Sequence, residues 1–455
     1  MKNLILLFAV SFFLCSCEEI KPKLESIVLS GKIKNYGDST IKLVQNKYEQ
    51  EIVVNAEGNF LDTIYDFEAG YFKLVIGKEY TNLFLKNGSN IALTVNADAV
   101  DETIKYNGIG ANENNFLAQK TKQAGDFNYW HFSKNEEAVF KAKVDSFTNF
   151  NIQFLEEYKQ MIPEFDKGFY KLELNNNLYF GAFLKEKFKQ VHSYYTKNDS
   201  FEVSDNFYSY RKNIPLENKE ALNTKYYADY VLANVENNIV ENDTTEEAFE
   251  ALRIINRSFQ DNELKKEFIY RSAKKELKKV KKLDEYWTLV SFMVTNKTHL
   301  KELKKDFRKI SKIQVGKKSP QTAFKDKEGN EHKLADFIGK YIYIDMWAQW
   351  CAPCKAEAPF LKKLEEKYAE NDIVFLKISL DEDQEAWKNY IVENNATKNA
   401  FILDKNFDSE FVEAYLITSI PRFILLDKEL KIIDADAKRP SNNEIEKQLD
   451  DLLNV

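Results

Sequence analysis

The 455-residue chain predicts a multidomain protein: an N-terminal β-sandwich, a central all-α region and a C-terminal α/β domain. Three observations predict it. Apolar residues alternate with period two from about Ser26 to Tyr106, then recur at three- and four-residue steps from about Asn112 to Lys312. After Ile313, short apolar runs alternate with helical stretches, the pattern of a sheet flanked by helices. The length fits about three domains, and a 44% hydrophobic composition fills more than one core. The 65 basic and 72 acidic residues are mixed along the chain, with a formal net charge of −7, which argues against nucleic acid as the main partner.

The first residues read as a targeting segment. Lys2 precedes an apolar run, Leu4 to Leu14, too short to span a membrane. The run ends in Leu14-Cys15-Ser16-Cys17, and the chain turns polar at Glu18 and Glu19. This resembles a bacterial lipobox, with Leu14 three residues ahead of the cysteine that becomes the lipidated N-terminus. The expectation is a signal peptide over 1–17 and a lipoprotein anchored through Cys17, each buried methylene being worth about 0.8 kcal/mol. A plain secretory signal is the alternative. No later apolar run reaches ~18 residues, so no transmembrane helix is expected.

Residues 18–110 carry the strand pattern. Ile27, Leu29, Gly31 and Ile33 face one way, and further runs stand at 41–43, 51–54, 60–64, 71–75 and 91–95. Turn signals separate them at Tyr36-Gly37-Asp38, Glu57-Gly58-Asn59 and Asn87-Gly88-Ser89. The stretch resembles the small N-terminal β domain of bacterial lipoproteins, of the DUF4369 type. Residues 111–312 read as helices, including 138–161 and 223–239. Ile269, Ala273, Leu277, Val280 and Leu283 predict one continuous amphipathic helix. Lys274, Lys275, Lys278, Lys279, Lys281 and Lys282 crowd its other faces, as a solvated surface or as a basic patch for an anionic membrane. His131, His192 and His299 lie far apart without metal-ligand spacing, so no metal is expected.

Residues 313–455 form the α/β domain. A strand and turn at 324–330 lead to a buried strand, Tyr341 to Trp347. A helix to about Tyr368, a strand at 373–378, a helix at 387–392 and a short strand near Phe401 follow. A helix at 409–414 then leads to Pro421, a hairpin of 423–426 with 431–433, and a closing helix at 444–453.

The chemistry concentrates in Trp350-Cys351-Ala352-Pro353-Cys354, directly after the apolar strand and opening a helix. The chain has four cysteines; Cys15 leaves with the signal and Cys17 is modified, so only this pair remains as thiols. A bridge between them closes a tiny loop and stabilises little, so chemistry explains the pair better than stability does. The first cysteine sits where unpaired backbone N–H groups and the helix dipole favour an anion. Thiolate is the attacking species, and the second cysteine lies one turn on, within reach of a mixed disulfide. Pro353 suits the first turn, where its missing N–H has no partner to lose. Half of a zinc site, a merely structural disulfide and a peroxidatic cysteine remain as other readings.

With Met346-Trp347-Ala348-Gln349 before the pair, Glu357-Ala358-Pro359 after it, and Ser419-Ile420-Pro421 further on, this last third resembles the thioredoxin superfamily. Within it, the resemblance is to the TlpA/ResA-like membrane-tethered thiol–disulfide oxidoreductases. The resemblance implies that Cys351 is an exposed nucleophile and Cys354 the buried resolving thiol, together forming a redox disulfide. It implies a cis bond before Pro421, with Ile420 offering backbone groups to an extended substrate. Asp345 occupies the buried acid position of ordinary thioredoxins, and Glu357 the helical acid of the ResA-like branch; either is a candidate base for Cys354. Trp350 is expected to shield the disulfide and touch substrate, and Pro359 to kink the helix. Two positions depart from the pattern. Arg422 stands where the family has Thr and is expected to support the Cys351 thiolate or favour acidic partners. Leu430 replaces a hairpin Gly and implies a different turn.

The expected activity is disulfide exchange with exported proteins, tilted toward reduction, in a lipoprotein of the cell envelope with its thioredoxin-like domain in the periplasm. No cofactor or metal is expected; a membrane thiol donor is, because a reductase there needs one. The alternatives are a client- or glycan-binding lipoprotein with an accessory redox domain, and a thiol peroxidase.

Overall fold

The computed structural model describes residues 26–45, 48–124, 128–239 and 246–454. The signal segment 1–17 and Cys17 lie outside the described residues. The chain divides into two compact units, one ending at Asn237 and the other beginning at Asn238.

In the first unit, eight strands follow in order: β1 (Ile27–Lys34), β2 (Thr40–Gln45), β3 (Tyr48–Val53), β4 (Asn59–Ile64), β5 (Gly70–Ile76), β6 (Glu79–Leu85), β7 (Asn90–Asn96) and β8 (Lys105–Ile109). They form two four-stranded sheets, β4-β1-β7-β8 and β3-β2-β5-β6. All neighbours are antiparallel except β1 and β7. Alternate residues such as Leu29, Leu43, Leu74, Leu83 and Leu93 are buried in one shared core, the consequence of period-two patterning. Gly58 turns the chain into β4 with φ at 80°; a Cβ there would stand 2.0 Å from the Ile33 carbonyl oxygen. The strand runs named from sequence omit β6 and leave β8 only its Tyr106. β6 begins with polar residues and turns Thr81 inward ahead of Leu83 and Leu85. In β8 only Tyr106 is buried, so neither strand carries a strong apolar signal.

Open edges of such sheets invite pairing with other chains. Here adjacent asparagines in the helix Ala111–Ala124 cover one edge of each sheet. Asn114 accepts from the Phe84 amide (2.8 Å) and donates to its carbonyl (2.9 Å) on β6. Asn115 does the same to Tyr106 on β8, at 3.0 and 2.8 Å. Phe116, Leu117, Leu155, Tyr158, Phe165 and Phe169 then pack a second core against Tyr71 and Phe84. Buried Glu173 ties this layer down, accepting from Lys120 (2.7 Å) and from the Tyr71 hydroxyl.

The helices Glu247–Ser258, Asn262–Glu276, Leu283–Met293 and Lys297–Ile310 belong to the second unit. The continuous helix expected through Leu283 is in fact two, broken after Glu276. Crowded lysines repel one another at helical spacing, and Glu246 stabilises the break by accepting the Lys281 and Lys282 amides, both at 2.9 Å.

The rest of this unit is built on a seven-stranded sheet: β9 (Ala323–Lys325), β10 (Glu331–Lys333), β11 (Tyr341–Trp347), β12 (Ile373–Ser379), β13 (Ala400–Ile402), β14 (Arg422–Leu426) and β15 (Ile432–Asp434). The order is β10-β9-β13-β12-β11-β14-β15, with β11, β12 and β13 parallel. β11 is buried along nearly its whole length because apolar cores cover both faces of the sheet. One face packs Leu361 and Leu364 of the helix Ala352–Lys367, and Tyr368 just after it, with Ile445 and Leu449; the other packs Phe411 and Tyr415. The β14–β15 turn holds Leu430 at φ 63°, so a leucine occupies the left-handed region that favours glycine.

Replacing Asn114 by Ala strips both partners from the Phe84 backbone. The expected cost is about 2–3 kcal/mol, read as a lower urea midpoint with an unchanged slope. Asn115→Ala is expected to act likewise at Tyr106, and unchanged midpoints in both variants contradict the edge-covering role.

Candidate functional site

The site forms where β11 ends and a helix begins. Cys351 is the residue that caps the helix Ala352–Lys367, with Pro353 in its first turn. The Cys354 amide donates to the Cys351 sulfur at 3.1 Å. The two cysteines are joined as a disulfide, with their Cα atoms 5.3 Å apart. When the bond is reduced, the same amide and the helix's unpaired N–H groups face the Cys351 sulfur, which favours its thiolate.

The loop between strand and helix is held by a residue that sequence reading passed over. Asp381 is buried and accepts from the Gln349 amide (3.0 Å) and the Ser379 hydroxyl (2.7 Å). Its neighbour Leu380 donates to the Trp347 carbonyl at 2.8 Å. The available signal was its place, an acid just past an apolar run at the end of the strand beside β11. Around the sulfurs, Trp347, Ala348, Trp387, Ile391, Ala400 and Ile402 form a compact apolar cluster, with Ile420 against it. Cys351 is only 4% exposed and Cys354 5%, so the exposed nucleophile expected from resemblance is, in the disulfide state, tucked among these side chains. Trp350 is not part of the buried cluster; it is 61% exposed and lies 6.4 Å, ring to ring, from Phe407.

The Ile420–Pro421 peptide bond is cis. Ile420 touches both the cysteine cluster and the core on the Phe411 face. Arg422 is spent elsewhere. Its guanidinium donates twice to the Ala435 carbonyl (2.9 and 2.7 Å) and pairs with Asp436 at 3.1 Å. These contacts tie β14 to the segment after β15, and burial lowers the affinity of the guanidinium for its proton.

The two candidate acids sit in different surroundings. Asp345 lies on β11 in register with Lys377 and Phe423. Burial pushes its carboxyl up to about 7; Lys377 opposes the rise, while Glu365 and Glu357 add to it. Lys377 is itself paired with Glu365 at 3.1 Å, which divides its attraction. Glu357 is also buried, contrary to a solvent-facing helix position, but well supplied with donors. It accepts from the Ser441 amide (3.0 Å) and hydroxyl (2.9 Å), with Arg439 3.9 Å away.

Comparison with known proteins falls on this same region. The family model described as Redoxin matches residues 314–453. A thiol–disulfide oxidoreductase ResA from Bacillus thuringiensis subsp. konkukian is 30% identical over 143 residues, 31% of this chain and 81% of that protein. A ResA from Geobacillus kaustophilus is 23% identical over 146 residues, 32% of this chain and 82% of its own length. The solution structure of a candidate thiol–disulfide oxidoreductase from Bacteroides vulgatus is 44% identical and covers 30% of this chain and 87% of that one, with a TM-score of 0.28.

Because the folded Asp345 binds its proton more tightly than an unfolded aspartate, its neutral form adds stability below pH ~4, and that contribution is lost as pH rises through about 7. Asp345→Asn should therefore gain stability relative to the parent between pH 4 and pH 8, by on the order of 4 kcal/mol. Chemical denaturation of both proteins across that range checks it; parallel pH curves contradict the buried-carboxyl assignment.

Proposed function

The chain belongs, through its last third, to the TlpA/ResA-like thiol–disulfide oxidoreductases of the thioredoxin superfamily, and from that premise we propose that it reduces disulfides in exported proteins while tethered to a membrane by acylated Cys17. The single observation that carries the chemistry is the Cys351 sulfur at the helix's leading end, facing the Cys354 amide.

In the forward direction the Cys351 thiolate attacks one sulfur of a client disulfide. That bond breaks, a mixed disulfide forms, and the client's other sulfur leaves as thiolate. Cys354 then loses its proton and attacks the Cys351 sulfur. The Cys351–Cys354 bond forms, and the client's second sulfur is released; two electrons have passed from the enzyme dithiol to the client. A dithiol donor on the membrane side returns two electrons and resets the pair. In this reading Asp345 takes the Cys354 proton, because its carboxyl exchanges protons near neutral pH. Glu357, which accepts from the Ser441 amide and hydroxyl, holds the helix to the segment before Asn443–Leu453. Ile420, beside the cis bond, offers its backbone to an extended client segment, and Trp350 offers its exposed ring. Placement in the periplasm follows from the signal-like start, and the redox domain is taken as 313–455, after a β-sandwich at 18–110 and helices at 111–312.

Cys351→Ser should abolish reduction of insulin disulfides by the full chain, and Cys354→Ser should accumulate stable mixed disulfides with client proteins. Full activity of Cys351→Ser ends the reading. Cys17→Ala should move the protein out of the membrane fraction, and retention there contradicts the anchor.

A further inference from the structure

The surface beside the disulfide is organised by two adjacent acids. Asp381 accepts the Gln349 amide, at 3.0 Å through one oxygen and 3.2 Å through the other. The next residue, Glu382, accepts the Asn406 side-chain amide at 2.9 Å. Each acid thus pins the residue just before an aromatic: Gln349 precedes Trp350, and Asn406 precedes Phe407. The two rings meet at 6.4 Å and 37°.

The loop that brings Phe407 there is in an unfavourable conformation. Lys405 and Asn406 are consecutive and both left-handed, at φ 63° and 39°, and neither is glycine. For an ordinary side chain that conformation is unfavourable, less so for asparagine. Asn406 compensates by accepting the Phe407 amide on its own side chain and donating to Glu382. Local strain held by surrounding bonds is a mark of a functional position. Packing alone explains only the inner side of Phe407, which rests on the domain core. It does not explain Trp350, whose ring stays 61% exposed one residue from Cys351.

We infer that Trp350 and Phe407 form an apolar lip that grips a non-polar side chain next to the client's reacting cysteine, and that Asp381 and Glu382 hold the lip in place. The occupant follows from position. Disulfide exchange requires a second chain to bring its sulfur to Cys351, so whatever flanks that sulfur passes the lip. This rests on the disulfide-exchange reading above and names the client feature it selects. Trp350 and Phe407 are specificity-determining residues; Asp381 and Glu382 are positioning residues that act through them.

The test uses the reduced full-length protein and two peptides, each carrying one cysteine as a mixed disulfide with nitrothiobenzoate. One peptide has leucine before the cysteine, the other serine. Release of coloured nitrothiobenzoate gives the rate of attack. The parent should attack the leucine peptide about tenfold faster, the scale set by burying one apolar side chain. Phe407→Ala should bring that ratio down to about threefold by removing half of the apolar surface the leucine buries. Glu382→Ala, an exposed position outside the core, should lower the ratio in the same direction by freeing Asn406. Phe360→Ala, an exposed aromatic on the helix Ala352–Lys367, should keep the parent ratio. Equal rates for the two peptides with the parent, or a full ratio in both Phe407→Ala and Glu382→Ala, overturn the lip while leaving disulfide exchange intact. No release from either peptide by the parent overturns both.

Discussion

One contact organises the redox domain: the Cys354 amide pointing at the Cys351 sulfur, at the leading end of a sixteen-residue helix. A sulfur placed there meets unpaired N–H groups and the positive end of the helix dipole, so ionisation is favoured at that atom. The surrounding fold serves to hold this arrangement. β11 is buried on both faces and anchors the start of the loop. Asp381 and Leu380, at the end of the neighbouring strand, hold the loop's backbone at Gln349 and Trp347. Pro353 fits the first turn without breaking a hydrogen bond.

Two buried carboxyls of this domain, Asp345 and Glu357, sit in different environments. Asp345 shares a lysine that is already paired with Glu365, so burial wins and its proton is held up to about neutral pH. Glu357 receives two donors from Ser441 on the segment leading to the last helix. One carboxyl is set apart by its burial, the other by the donors that tie it to a neighbouring segment. Arg422 likewise takes a structural part, its guanidinium bonded to Ala435 and paired with Asp436.

Local signals made the redox domain readable. A largely apolar strand, a cysteine pair at a helix start and Ile420-Pro421 ahead of a strand all carry short-range patterns, and the strands β11 to β15 with the helices between them lie close to their expected bounds, whereas the runs named from sequence omit β10. What escaped was long-range. Asp381 meets Gln349 across 32 residues, and Phe407 reaches Trp350 across 57, so neither shows in a local window. In the first unit, β6 and β8 hid because an inward Thr81 and a single buried Tyr106 weaken the alternation. Helical periodicity also says that a face is buried without saying against what. That is why the helices at 111–312 read as one block, whereas those up to Asn237 and those beyond belong to different units.

The most direct test of the central claim is the ionisation of Cys351 itself. The reduced protein is alkylated with iodoacetamide across pH, and the rate at each cysteine is followed by mass. The account predicts that Cys351 reacts first, with a midpoint below the ordinary cysteine value of about 8.5, and that Cys354 lags far behind. A midpoint at or above that value, or faster labelling of Cys354, contradicts it.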